Sequence, residues 1–127
     1  MSHRGDIAKL VKTLAYISKI EQIVTRHKNA ITALEDLEGQ PALLMCLMQI
    51  GELLNQLHDI ELINKLEVRK IVAFRNIVAH EYESLLIDKT NSIITNNIPV
   101  LKSQIICQLE LETDYLDLKK LWETSPK

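Results

Sequence analysis

Between positions 43 and 57 apolar residues recur at four-three-four-three spacing: Leu43, Leu47, Ile50, Leu54 and Leu57. That rhythm places them on one stripe of an α-helix. Leu44, Met48 and Gly51 widen the stripe, giving a face broad enough to meet both a domain core and a second subunit. Gly51 itself suggests a close helix approach. The same rhythm opens the chain, where Ile7, Leu10, Leu14, Ile17 and Val24, with Val11 and Ile20, predict a long first helix over 6–27. Asp6 reads as its N-cap, entered through Gly5.

Residues 29–37 have room for one or two helical turns before Glu38-Gly39-Gln40-Pro41 breaks the pattern. Pro41 suits the first position of the next helix, over 41–57. Residues 58–64 read as a polar connection. A helix over 65–79 then uses Val68, Ile71, Val72, Phe74 and Val78, and 82–87 turn into a helix starting near 88 that carries Ile93, Ile94 and Ile98. Pro99 marks a kink or a new helix start. Leu101, Ile105 and Leu109 continue the apolar face, and 113–122 add a short helix before 124–127 fray. No segment alternates at period two, and 127 residues hold only three Gly and three Pro. The expectation is an all-α bundle of four to six helices. It forms one domain over 1–127, with its core at about 6–111 and a C-terminal extension at 112–127.

Charge and composition exclude some functions. A net charge of -2 does not suit a general nucleic-acid coat, whose affinity comes from neutralising phosphates. Aromatic residues make up only 4%, which argues against an aromatic stacking platform for single strands. Locally the balance differs: Lys65, Arg69, Lys70 and Arg75 face only Glu67 and Glu81 between 65 and 82. This is a small basic patch or a solvated helix face. No run of eighteen apolar residues occurs and the N-terminus lacks a signal-like apolar region, so a cytoplasmic protein is expected. Cys46 and Cys107, both in apolar helical contexts, read as buried free thiols.

Arg75-Asn76-Ile77-Val78-Ala79-His80-Glu81-Tyr82 gathers more chemistry than any other stretch. Arginine is a permanent fork of donors that fits phosphate. Histidine takes and gives a proton near neutral pH, and tyrosine adds a hydroxyl. Together they read as a site for a phosphodiester or a nucleotide. On a continuous helix, residues 75 and 82 lie about 20° apart but residue 80 lies about 140° from 75. Either the helix ends near 79 or 80 and the chain turns, or a second copy completes the site across a dimer. The plain structural alternative is a helix-end cluster, with His80 capping carbonyls, Arg75 in a salt bridge and Tyr82 packed.

Other candidates fail on their chemistry. His58-Asp59-Ile60-Glu61 has metal-ligand residue types, but no matching cluster and no His pair at i, i+4. His3 and His27 are isolated and expected to be exposed. Gly5, Gly39 and Gly51 stand alone, so no phosphate-cradling loop exists. Cys46, among Leu44, Met45, Leu47 and Met48, is in an inert setting.

Arg75, four residues, His80, one residue and Tyr82 resembles the signature of the HEPN superfamily, and more specifically the HepT ribonuclease toxins. The likeness spans about 6–109. It includes the long first helix, Ile50-Gly51-Glu52-Leu53, the motif itself and Ile98-Pro99-Val100-Leu101 after an amphipathic helix. The three key positions show no departure. The resemblance implies a helical homodimer with two motifs facing one cleft, cleaving RNA without metal or other cofactor. It also implies a cognate minimal nucleotidyltransferase antitoxin, in a type VII-like toxin–antitoxin pair, that transfers AMP to Tyr82 and silences the toxin.

Under this resemblance Arg75, His80 and Tyr82 are the catalytic residues, with Asn76 and Glu52 in support and Arg69 and Lys70 binding RNA. Asn76 orients His80 or contacts phosphate, and Glu52 pairs with Arg75 or His80 unless it is simply a surface carboxylate. Polar Asn55, on the same helix, carries the same two readings. Some relatives are instead helper subunits of nucleotidyltransferases, which gives a rival, non-enzymatic reading.

Overall fold

A computed structural model describes the backbone of residues 3–80 and 83–123, and their side chains apart from those of His3, Arg75, Ala79, His80, Glu83 and Ser84. Among the described residues there are eight α-helices, one π-helical segment and no strand. The helices are α1 (His3–Arg26), α2 (Ala30–Leu34), α3 (Gly39–Asn55), α4 (Ile60–Asn64), α5 (Arg69–His80), α6 (Glu83–Ser92), α7 (Ile98–Leu109) and α8 (Tyr115–Glu123), with the π segment at Ile93–Asn97. The all-α expectation stands. The expected four to six helices become eight because α2 and α4 are single-turn pieces and the π segment separates α6 from α7.

The apolar stripes become the core. Leu10, Leu14, Ile17 and Ile20 of α1 are buried against Leu43, Leu47, Ile50 and Leu54 of α3 and Leu101, Ile105 and Leu109 of α7. α1 is the central rod: α3, α7 and α8 pack on it, and α3 also carries α5 on its other side. α5 contributes Ile71 and Phe74, both fully buried, and touches the π segment. Trp122 of α8 is buried too, with its ring tilted against Tyr115 at 6.1 Å between centroids. Gly51 is buried in α3.

Several boundaries differ from expectation, each for a polar reason. Asp6 is not an N-cap. The helix already runs from His3, and the Asp6 carboxylate, 1% exposed, accepts the backbone N–H groups of His58 (3.1 and 3.2 Å) and Asp59 (2.9 Å). It thus pins the α3–α4 connection to α1. Residues 58–64 are not merely a connection, because Asp59 caps α4 by accepting from Glu61 and Leu62. Asn29 does the same for α2, accepting from Thr32 at 2.8 Å.

α3 starts two residues before Pro41, because Asp36 accepts the N–H groups of Glu38 (3.0 Å) and Gly39 (2.8 Å). α5 starts at Arg69 rather than 65, since Lys65 still caps the end of α4, and the Glu67 N–H beyond it is taken by Gln104 Oε1 at 2.7 Å. α6 is helical from Glu83, where a turn was expected until 87.

Pro99 explains the π segment. Proline has no N–H for the carbonyl four residues back and its ring crowds that turn. The helix widens just ahead of it, with the Ile98 N–H bonding the Ile93 carbonyl five residues earlier. Pro99 then sits in the first turn of α7. Of the two expected outcomes, the new helix start is realised.

Cys46 is buried, and burial pushes its thiol pKa up. Cys107 is exposed, contrary to expectation, because it lies two residues, about 200° of helix turn, past Ile105 and so faces away from the Leu101–Ile105–Leu109 stripe. His27 is neither isolated nor exposed: it is half-buried at the end of α1. Its Nδ1 lies 2.8 Å from the Ile23 carbonyl, which can only accept, so Nδ1 carries the hydrogen. Its Nε2 lies 3.3 Å from Asp36 Oδ2. The His3 side chain is outside the described residues. Among the described residues no helix is long and apolar enough to cross a membrane, and no three His, Cys, Asp or Glu group as metal ligands.

Candidate active site

The motif lies on α5, whose buried row fixes the rest of the helix. Ile71 and Phe74 face the core, while Arg69, Lys70, Ala73 and Asn76 are exposed. Asn76 therefore stands in solvent on the face away from α3. Arg69 and Lys70 occupy the first turn and put two cations on the same end of the helix. Val72, Ile77 and Val78 are half-buried flanks.

Arg75 and His80 are both in helical backbone, with His80 the last residue of α5. Their side chains are outside the described residues, and Tyr82 lies there entirely. The described backbone resumes at Glu83, in α6. The first of the two geometric conditions set by the spacing, a helix end near 79 or 80, turns on residues 81 and 82, which lie outside the described residues. Around a straight helix, positions 75 and 80 remain about 140° apart.

Glu52 is on α3, the helix that packs against α5. It is half-buried, and its Oε2 accepts from Gln56 Nε2 at 3.0 Å. Asn55 is exposed at the end of α3.

Beside α5 the described residues also form a groove of about 230 Å³ that the sequence did not suggest. Lys70, Ala73 and Ile77 make its α5 wall, and Lys89, Ser92 and Asn97 make the opposite wall from α6 and the π segment. Asn97 is 7% exposed, and its Nδ2 donates to Glu67 Oε2 at 3.1 Å. A carboxylate there can only accept, which fixes the amide orientation. The signal was present in the sequence as Lys89, Ile93 and Asn97 at i, i+4 and i+8, which share a helix face, but nothing in the sequence alone pairs that face with α5.

The model of the ribonuclease HepT-like family matches residues 13–107, three quarters of the chain and the whole motif. The chain belongs to the HepT-like ribonuclease family of the HEPN superfamily. No curated protein and no solved structure gives a significant match. The matched span runs from α1 into α7 and so takes in the groove as well as α5.

Proposed function

We infer that this HepT-like protein is a metal-independent endoribonuclease toxin of the cytoplasm, acting as a homodimer. One observation carries the reading: Arg75, His80 and Tyr82 stand at the family spacing inside the matched span, with Arg75 and His80 on α5. His80 takes the proton of a ribose 2′-hydroxyl as general base, and the 2′-oxygen attacks the adjacent phosphorus. The P–O5′ bond breaks, the departing 5′-oxygen is protonated, and the products are a 2′,3′-cyclic phosphate and a 5′-hydroxyl. Arg75 holds the phosphate and stabilises the charge that builds on it. Tyr82 positions the RNA or assists proton transfer, Asn76 orients His80 or touches phosphate, and Glu52 tunes Arg75 or His80. Arg69 and Lys70 attract the strand. A single histidine must serve twice or share the work with His80 of a second copy, which gives dimerisation a chemical motive.

Control falls to a cognate minimal nucleotidyltransferase that transfers AMP to the Tyr82 hydroxyl. The added phosphate and nucleoside repel and block RNA. Two observations test the pair of claims. Expression of the wild-type chain arrests growth and His80→Ala does not. Co-expression with the partner enzyme adds AMP masses that vanish in Tyr82→Phe. Growth arrest that persists in a folded His80→Ala variant refutes the catalytic role. An active partner that adds no mass refutes the regulatory one and leaves a nucleotidyltransferase-binding subunit as the better description.

A further inference from the structure

The groove beside α5 has the features of a nucleoside subsite. Lys70, Ala73 and Ile77 follow one i, i+3, i+7 row, and the next step of three on that row is residue 80. The groove therefore approaches the end of α5 where the motif lies, about 4.5 Å of helix rise beyond Ile77. Its walls differ in chemistry. Ala73, Ile77 and Ile93 offer aliphatic surface, Ser92 and Asn97 offer hydrogen-bonding groups, and Lys70 and Lys89 bring a cation from each wall.

Asn97 is the most informative of these. It is nearly buried, and one hydrogen of its Nδ2 goes to Glu67, which leaves Oδ1 as an acceptor and the second Nδ2 hydrogen as a donor. Glu67 is in turn held by Gln104 through its backbone N–H. A rigidly held amide beside aliphatic walls discriminates among flat polar rings, because a ring edge whose donors and acceptors match it is satisfied and a mismatched edge is not. At about 230 Å³ the groove is smaller than the roughly 300–1,000 Å³ typical of drug-sized ligand sites. It suits one base rather than a dinucleotide or a folded peptide.

We propose that this groove between α5 and the α6–π segment binds one nucleoside of the RNA strand next to the cleaved bond. Its base lies on Ala73 and Ile77, its edge is read by Ser92 and Asn97, and its flanking phosphates sit by Lys70 and Lys89. The proposal rests on the RNA-directed reading of the motif, but makes a separate claim about selectivity.

The test uses the full-length, unmodified protein and two readouts. The first is sequencing of product ends from a random RNA pool, with kcat and KM on one short substrate. The second is fluorescence anisotropy of a short single-stranded RNA carrying 2′-O-methyl groups, which cannot be cut. The variants are Ala73→Trp, which fills the groove from an exposed position, and Lys89→Gln and Ser92→Ala, each checked for wild-type helicity.

Expected are a wild-type base preference beside the cut that Ser92→Ala weakens and Ala73→Trp abolishes, and a KM raised about tenfold in Ala73→Trp with kcat changed less. Lys89→Gln should lower the slope of log Kd against log salt by about 0.7, the release from one single-strand phosphate. If the wild type cuts RNA and all three variants match it in both readouts, the groove proposal is overturned and the nuclease stands. If the wild type does not cut but binds the short RNA and Ala73→Trp does not, the groove stands and the nuclease reading fails. A wild type that neither cuts nor binds overturns both.

Discussion

Gly39 and Gly5 pose the same substitution in opposite surroundings. A Cβ built on Gly39 lies 2.4 Å from the Ala33 carbonyl oxygen, 3.2 Å from its carbon and 3.3 Å from its Cα. All three are backbone atoms of α2, and Ala33 is 0% exposed, so α2 must retreat by nearly 1 Å to restore ordinary contact. The retreat strains the Gln40 Nε2 to Leu34 carbonyl bond of 3.0 Å, which ties α3 to α2. Overpacking of this kind costs about 1–3 kcal/mol, while the helix propensity gained over glycine returns less than 1 kcal/mol.

Gly39→Ala is therefore expected to lose about 1–2 kcal/mol, and thermal unfolding to fall by roughly 4–8 °C for a chain of this size. Gly5 lies in the exposed first turns of α1 with nothing within 4 Å of its Cβ position. Gly5→Ala gains about 0.5 kcal/mol and raises the midpoint by about 2 °C. Thermal and urea unfolding by far-UV circular dichroism at one fixed protein concentration makes the comparison. A Gly39→Ala variant as stable as Gly5→Ala refutes the reasoning that α2 and α3 meet backbone to backbone at this point.

Asp6→Ala strips the carboxylate from the N–H groups of His58 and Asp59, and should cost about 2–4 kcal/mol in urea denaturation. The same variant should speed hydrogen exchange at those two amides, and unchanged exchange would contradict the assigned pin. Asp36 is held below its usual pKa of 3.8, first by the Gly39 N–H and then by that of Glu38; burial opposes them, and the charge and hydrogen bond of His27 add a lesser lowering. A depressed folded-state value gives stability that is complete above 3.8 and is lost as pH falls through the folded value. The difference in urea midpoint between wild type and Asp36→Asn should therefore be largest near neutral pH and shrink in strong acid. Native protein should present one fast thiol to a disulfide reagent, lost in Cys107→Ser, and release the Cys46 thiol only on unfolding.

Much of the architecture was legible because it rests on periodicity. Leu43, Leu47, Ile50, Leu54 and Leu57 are all buried as their spacing demands, and so are Leu10, Leu14 and Ile17. What the sequence hid were polar choices made across distance. Asp6 looks like a cap because capping is local, but its partners are fifty-two and fifty-three residues away. The π turn was invisible because proline signals a disturbance without saying whether the helix bends, stops or widens. Cys107 shows the limit of an apolar neighbourhood: two residues past Ile105 it stands on the opposite side of α7 from the stripe and faces solvent.

At the motif, spacing alone left two conditions, a helix end near 79 or 80 or a second copy across a dimer, and the first turns on residues 81 and 82, outside the described residues. The wall opposite α5 needed three dimensions, since Lys70 and Lys89 are nineteen positions apart and meet only through the packing of α5 on the π segment.

The most direct test of the central claim is RNA cleavage by purified, AMP-free protein in excess EDTA, beside a folded His80→Ala control. Cleavage by the wild type alone, leaving 2′,3′-cyclic phosphate and 5′-hydroxyl ends, is the result predicted for a metal-independent ribonuclease that uses His80. Intact RNA across several substrates, or equal cleavage by both proteins, would contradict it.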